Sequence, residues 1–147
     1  TKNAMDPREV VNLLQRIFTR FDQLCEENKV YKVHTLADCY VIMGYNGKID
    51  KMKRVRAVVV DEANRVIQTG LEMMDFILEV KETSLRTKNL DMRCGIATGK
   101  IVAGIIGSKL VRYDIFGEGV QIAHGLEQQG VIGKVCISED TKDILTS

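Results

Sequence analysis

Val30-Tyr31-Lys32-Val33-His34-Thr35-Leu36-Ala37-Asp38-Cys39-Tyr40 is the stretch from which the fold can be read. Residues 30–36 and 39–44 are both rich in β-branched and aromatic side chains, and only Ala37 and Asp38 separate them. Two β-prone runs joined by two residues predict a hairpin. Asp38 then sits at its tip, where a carboxylate is either solvated or used. On the N-terminal side, Asp6-Pro7-Arg8-Glu9 is a helix-start signal: Asp6 can cap, Pro7 suits the first helical position and Glu9 stands three after the cap. Val10, Leu13, Leu14, Ile17, Phe18, Phe21 and Leu24 follow at three-and-four spacing, which predicts one amphipathic helix to about Asn28.

On the other side of the hairpin, residues 45–56 are polar and basic and read as a solvated loop. A second amphipathic helix is predicted over 61–83, with Ala63, Val66, Ile67, Leu71, Met74, Phe76, Ile77 and Val80 as its apolar stripe; Met73 and Met74 read as core filler. Residues 90–97 and 100–106 read as a second hairpin around Thr98-Gly99, followed by a short strand at 112–116, a helix at 120–128 stopped by Gly130, a strand at 134–138 and a last helix from 139. The glycines at 95, 99, 104 and 107 fit neither a dinucleotide nor a Walker pattern and read as tight turns and close packing. Gly117-Glu118-Gly119 before a helix is only a weak anion-binding signal. This order predicts an α+β fold, helices packed on a mostly antiparallel sheet. The helix–strand–strand–helix–strand core is that of a ferredoxin-like layout without its first strand. An open sheet edge is a liability, so a strand upstream of Thr1 is expected, and the absence of an initial Met points the same way.

The bulk composition narrows the function. A chain of 147 residues fits one domain, 1–147, with a real core. A net charge of +1 and the absence of Trp argue against a nucleic-acid binder with a strong field or a base-stacking platform. Cys25, Cys39, Cys94 and Cys136 form no C-x-x-C pair, which disfavours zinc and suits free thiols in a reducing compartment. No apolar run reaches the ~18–20 residues that cross a bilayer, so a cytoplasmic location is expected, with membrane attachment only through other parts of a longer protein.

Five ordered blocks resemble the class III adenylate and guanylate cyclase catalytic domain. Residues 30–40 resemble V-Y-K-[IV]-x-T-[IL]-G-D-x-Y; Arg93-Cys94-Gly95-Ile96-Ala97-Thr98-Gly99 resembles R-x-G-I-H-T-G. Val102-Ala103-Gly104-Ile105-Ile106-Gly107 and Arg112-Tyr113-Asp114-Ile115-Phe116-Gly117 resemble the V-x-A-G-V-V-G and R-Y-[DC]-[IL]-[FW]-G that follow. Val120-Gln121-Ile122-Ala123-His124-Gly125-Leu126-Glu127, with Gly130, resembles V-N-x-A-x-R-M-E-x-x-G. The resemblance implies conversion of ATP or GTP to the 3′,5′-cyclic nucleotide and pyrophosphate, by attack of the ribose 3′-oxygen on the α-phosphate with two Mg²⁺ or Mn²⁺ ions. It implies a dimer, with the site shared between a half that brings two metal-binding aspartates and a half that brings an Asn, an Arg and base-reading residues.

Asp38 matches one metal aspartate; its mate belongs to a first-strand motif expected upstream. His34 and Asp114 match the base-reading positions. Asp114 leans to the adenine type and His34 fits neither rule, so the base is left open. Gln121 stands where the Asn belongs and Gly125 where the Arg belongs. The departure is that of the metal-holding half of a heterodimeric cyclase, closest to protist enzymes with two unlike catalytic domains. It predicts a nearly inactive homodimer and a need for a complementary second cyclase domain. His124, on the same helix, reads as surface or interface. The alternative is an inactive pseudo-cyclase half that regulates an active partner; an unrelated ferredoxin-like RNA binder would need exposed aromatics that only Tyr31, Tyr40 and Tyr113 could supply.

Overall fold

A computed structural model describes residues 5–44, 56–106 and 112–146. Helix α1 spans Pro7–Asn28 and starts as its sequence dictates: the Asp6 side chain accepts a hydrogen bond from Arg8 N at 2.6 Å, with Pro7 at the first position. Glu9 does not reach back to the cap; it pairs instead with Arg86. The helix ends at Lys29, in the left-handed region (φ 56°), whose N–H reaches Cys25 O and Glu26 O. Ile17, Phe21, Leu24 and Cys25 form its buried stripe.

Strands β1 (Tyr31–Leu36) and β2 (Cys39–Met43) make the predicted antiparallel hairpin, closed by the Leu36–Cys39 pair. A bulge falls between Lys32 and His34. Ala37 takes a φ of 53°, a conformation in which a Cβ is costly and which glycine adopts freely. Helix α2 (Arg56–Glu82) begins five residues before the predicted start, inside the stretch read as a basic loop; residues 45–55 of that reading lie outside the described residues. Met73, Met74, Ile77 and Val80 are buried as expected, whereas Leu71 is 47% exposed.

The second predicted hairpin does not form. Strand β3 (Cys94–Ile96) is short and pairs in parallel with β6 (Val135–Ile137), while β4 (Val102–Ile106) pairs antiparallel with β5 (Arg112–Phe116). The reason lies in what the residues between β3 and β4 touch. The Thr98 hydroxyl is 2.8 Å from that of Thr141, and a Cβ on Gly99 would meet Gly119 Cα at 3.1 Å. The chain is thereby drawn toward the helices instead of turning back on β3. Helix α3 (Glu118–Gln129) crosses β3 so closely that a Cβ on Gly95 would lie 2.3 Å from Ala123 O. Close packing thus accounts for Gly95 and Gly99. A Cβ on Gly104 would meet nothing within 4 Å, so the same reading fails there, and Gly107 lies outside the described residues. Helix α4 (Glu139–Thr146) closes the chain, started by Ser138 Oγ accepting from Thr141 N.

The fold is α+β, with strand pairing mostly antiparallel as expected: among the described residues the strands form three two-stranded pairs, β1–β2 and β4–β5 antiparallel and β3–β6 parallel. The main core joins α1 and α2 through Ile17, Phe21, Leu24, Met73 and Ile77, with Tyr40 and Ile42 of β2 against it. Burying a side chain of this kind contributes about 1.5–3 kcal/mol, so this seam fixes the helices against the first hairpin. Strands β2 and β3 each keep one edge without a strand partner among the described residues. A cleft of about 400 Å³ lies between α1, α2 and residues 85–92, floored by Leu13, Ile17, Phe18, Phe21, Ile77 and Leu90, and Asp38 is part of its wall.

Candidate active site

Asp38 is exposed at the β1–β2 turn, as its place in the sequence predicts. A carboxylate there is a hard, ionised oxygen ligand of the type that Mg²⁺ or Mn²⁺ takes, typically one or two of them together with phosphate and water. Asp38 therefore fits as one ligand. It does not make a complete site: the described residues hold no group of three or more His, Cys, Asp or Glu placed to grip a metal. Asp91 lines the same cleft but is paired with Lys81 at 2.8 Å.

His34 of β1 and Asp114 of β5 come together across 80 residues of sequence, with Nε2 2.8 Å from Oδ1 and both side chains mostly covered (15% and 13% exposed). A carboxylate only accepts, so Nε2 carries the proton. The same Oδ1 also accepts from Ile115 N at 2.8 Å. His34 Nδ1 is buried with no hydrogen-bond partner. His34 is thus no ordinary strand histidine: it ties the first hairpin to the β4–β5 pair. Neither side chain lines the cleft at Asp38.

Gln121 and Gly125 lie one turn apart on α3. Gln121 is exposed, and a Cβ placed on Gly125 would meet nothing within 4 Å, so this face of the helix is open space. His124, next to Gly125, is exposed and pairs with Gln128 at 3.1 Å, in keeping with a surface role. Gln121 and Gly125 are not among the residues that line the cleft at Asp38.

Two features were not legible beforehand. Tyr40, Asp22 and Lys32 form a junction between the hairpin and α1, and Arg65 of α2 donates to Lys29 O and, at 3.2 Å, to Gly44 O. The first had a partial signal, since Lys32 and Tyr40 belong to the motif around Asp38, but nothing in the sequence tied them to Asp22. Burial pushes the Asp22 carboxyl up, yet the hydrogen bonds from Tyr40 and Lys32 outweigh it and hold the group below its ordinary value. The Tyr40 phenol is raised well above the usual tyrosine range by burial and by its bond to Asp22. The cysteines are all free, with only Cys25 fully buried. Burial lifts the Cys94 thiol to about 11, which makes it inert at neutral pH.

The whole chain, residues 1–147, matches the family model described as the adenylate and guanylate cyclase catalytic domain. It is 34% identical over 145 residues to the receptor-type guanylate cyclase gcy-13 of Caenorhabditis elegans, covering 99% of this chain and 13% of that protein. It is 35% identical over 143 residues to guanylate cyclase alpha of Plasmodium falciparum, covering 97% of this chain and 3% of that protein. To adenylate cyclase type 9 of Xenopus laevis it is 36% identical over 132 residues, 90% of this chain and 9% of the relative. The chain thus spans a small part of the length of these relatives. Among solved structures, its fold is similar to the guanylate cyclase domain of RhGC from Catenaria anguillulae in complex with GTP, with a TM-score of 0.79 at 21% identity over 97% of this chain and 72% of that one. It is equally similar to the guanylyl cyclase Cya2 (TM-score 0.79, 24% identity, 100% of this chain and 72% of that one).

Proposed function

This chain belongs to the adenylate and guanylate cyclase catalytic domain family, and from that premise we propose that it is the metal-holding half of a two-domain cyclase, converting ATP or GTP to the cyclic nucleotide only with a complementary partner. The observation that carries the proposal is the contrast between Asp38, an exposed carboxylate on the wall of the cleft, and Gly125, an open helix position with no side chain to offer. On this reading a second carboxylate, from the first-strand motif expected upstream, joins Asp38 in holding the metal.

Two divalent cations, Mg²⁺ or Mn²⁺, supply charge neutralisation at the triphosphate and ease deprotonation of the ribose 3′-hydroxyl when bound. Asp38 is the residue of this chain that would hold them. The α3 face cannot contribute to the transition state: Gly125 carries no guanidinium, and Gln121 replaces a shorter amide. A missing charge-assisted donor costs ~2–4 kcal/mol, or ~10²–10³ in rate. A symmetric pair of these chains would lack it at both sites, so the homodimer is nearly inactive and the partner is an unlike cyclase domain, as in protist enzymes that carry two in one polypeptide. On this reading His34 and Asp114 would belong to the degenerate second pocket, which does not read the base.

The test is cyclase activity on ATP and on GTP with Mg²⁺ or Mn²⁺, for the domain carrying the expected upstream metal aspartate, alone and mixed with a domain that carries the Asn and Arg. Turnover only in the mixture, abolished by Asp38→Ala, supports the proposal, and the preferred nucleotide names the substrate. Stable pairing without turnover with any intact partner would sink it and leave a regulatory pseudo-cyclase.

A further inference from the structure

One carboxylate oxygen ties both strands of the first hairpin to α1. Asp22 Oδ1 accepts from the Tyr40 hydroxyl at 2.5 Å and lies 2.9 Å from Lys32 Nζ. Lys32 comes from β1, Tyr40 from β2 and Asp22 from α1. The Lys32 ammonium also sits 5.2 Å from the Tyr40 ring centroid. That ring packs on Phe18 and Phe21 of α1, with centroids 5.3 and 5.4 Å away. The ion pair is roughly half exposed, with 38% and 49% of its two side chains open to solvent, so it adds little to stability. Its effect is geometric: with one carboxylate oxygen joined to a residue of each strand, it resists tilting of the hairpin on the aromatic bed.

From this we infer that Tyr40 is a positioning residue for Asp38, steadied by Asp22 and Lys32; the inference rests on Asp38 being a metal ligand. Tyr40 stands two residues beyond Asp38, about 7 Å along the strand. A tilt of the hairpin of about 10° pivoting at Tyr40 would carry the Asp38 carboxylate about 1 Å, beyond the ~0.5 Å that a preorganised site tolerates. Mg²⁺ is especially demanding, since it requires near-octahedral geometry. Only Cys39 separates the two residues, and Ala37 on the other side of Asp38 holds a left-handed conformation, so little slack remains to absorb the displacement.

Mn²⁺ binding, read by electron paramagnetic resonance, tests this without turnover. The chain is mixed with the complementary partner domain and a 3′-deoxynucleoside triphosphate, which cannot cyclise. Tyr40→Phe keeps the ring and removes the hydroxyl; it is expected to weaken Mn²⁺ binding by about tenfold or more, the size of effect seen for groups that orient a ligand, with metal-free nucleotide affinity unchanged. Asp22→Asn, which still accepts from Tyr40 but loses the charge facing Lys32, is expected to give a smaller loss in the same direction. Circular dichroism confirms that each variant is folded, and if Tyr40→Phe is not, Asp22→Asn decides alone. Normal Mn²⁺ binding in the folded variants, with Asp38→Asn still losing it, overturns the positioning role and leaves the ligand reading intact. Normal binding in Asp38→Asn overturns both.

Discussion

The first hairpin and helix α3, to which the proposed half-site reading gives the metal and transition-state roles, are built in opposite ways. Around Asp38 the hairpin is held by three side chains from three elements, Asp22, Lys32 and Tyr40, on a bed of Phe18 and Phe21. At Gly125 nothing lies within 4 Å of the point where a Cβ would stand, and Gln121 faces solvent. The region proposed to place a metal-binding carboxylate is braced. A region with no charged donor to place is left open. The contrast teaches that the helix position is sterically free to receive a side chain, so what is missing there is chemistry and not room.

The largest expected effect comes from breaking the braced side. Asp38→Ala should reduce turnover of the mixed dimer by ~10²–10³ or more, because a lost metal contact forfeits several kcal/mol of charge stabilisation; a steady-state assay at saturating nucleotide measures it. Next comes repair of the open side. Gln121→Asn combined with Gly125→Arg should raise the activity of a homodimer that has its full metal site by about 10²–10³-fold. Replacing a helical glycine also raises helix propensity by roughly 0.7–1 kcal/mol, so the double variant should melt no lower than the parent. An unchanged rate in a folded, dimeric double variant would remove the contrast on which the half-site reading stands.

A smaller effect probes the tie between the first hairpin and the β4–β5 pair. His34→Ala strips Asp114 of its 2.8 Å partner in a mostly covered site, and should cost ~1–3 kcal/mol in denaturant unfolding. The smallest concerns the turn itself. Ala37 adopts a φ of 53°, so Ala37→Gly should relieve strain and stabilise the chain by about 0.5–1 kcal/mol, checked by the same unfolding curves. A loss of stability instead would mean that the turn's rigidity outweighs its strain.

No described helix is long and apolar enough to cross a membrane. Helix α1, the first hairpin and α2 share one core.

What the sequence by itself determined was local. The Asp6 cap, the Pro7 start, the two-residue turn with Asp38 at its tip and the apolar stripes of α1 and α2 depend on neighbours within one or two turns, where period and capping decide. Asp38, Gln121 and Gly125 were legible because a motif records residue type at a position. What only the tertiary structure decided was pairing at a distance. Strand β3 reads as half of a hairpin, yet it pairs with β6, because Gly95 lets α3 lie on the strand and Thr98 and Gly99 draw the chain toward Thr141 and Gly119. The bond between His34 and Asp114 spans 80 residues, and that between Asp22 and Tyr40 spans 18. Contacts of that kind are set by how helices and strands pack, where the burial of many side chains outweighs any local preference, and a linear pattern carries no record of them.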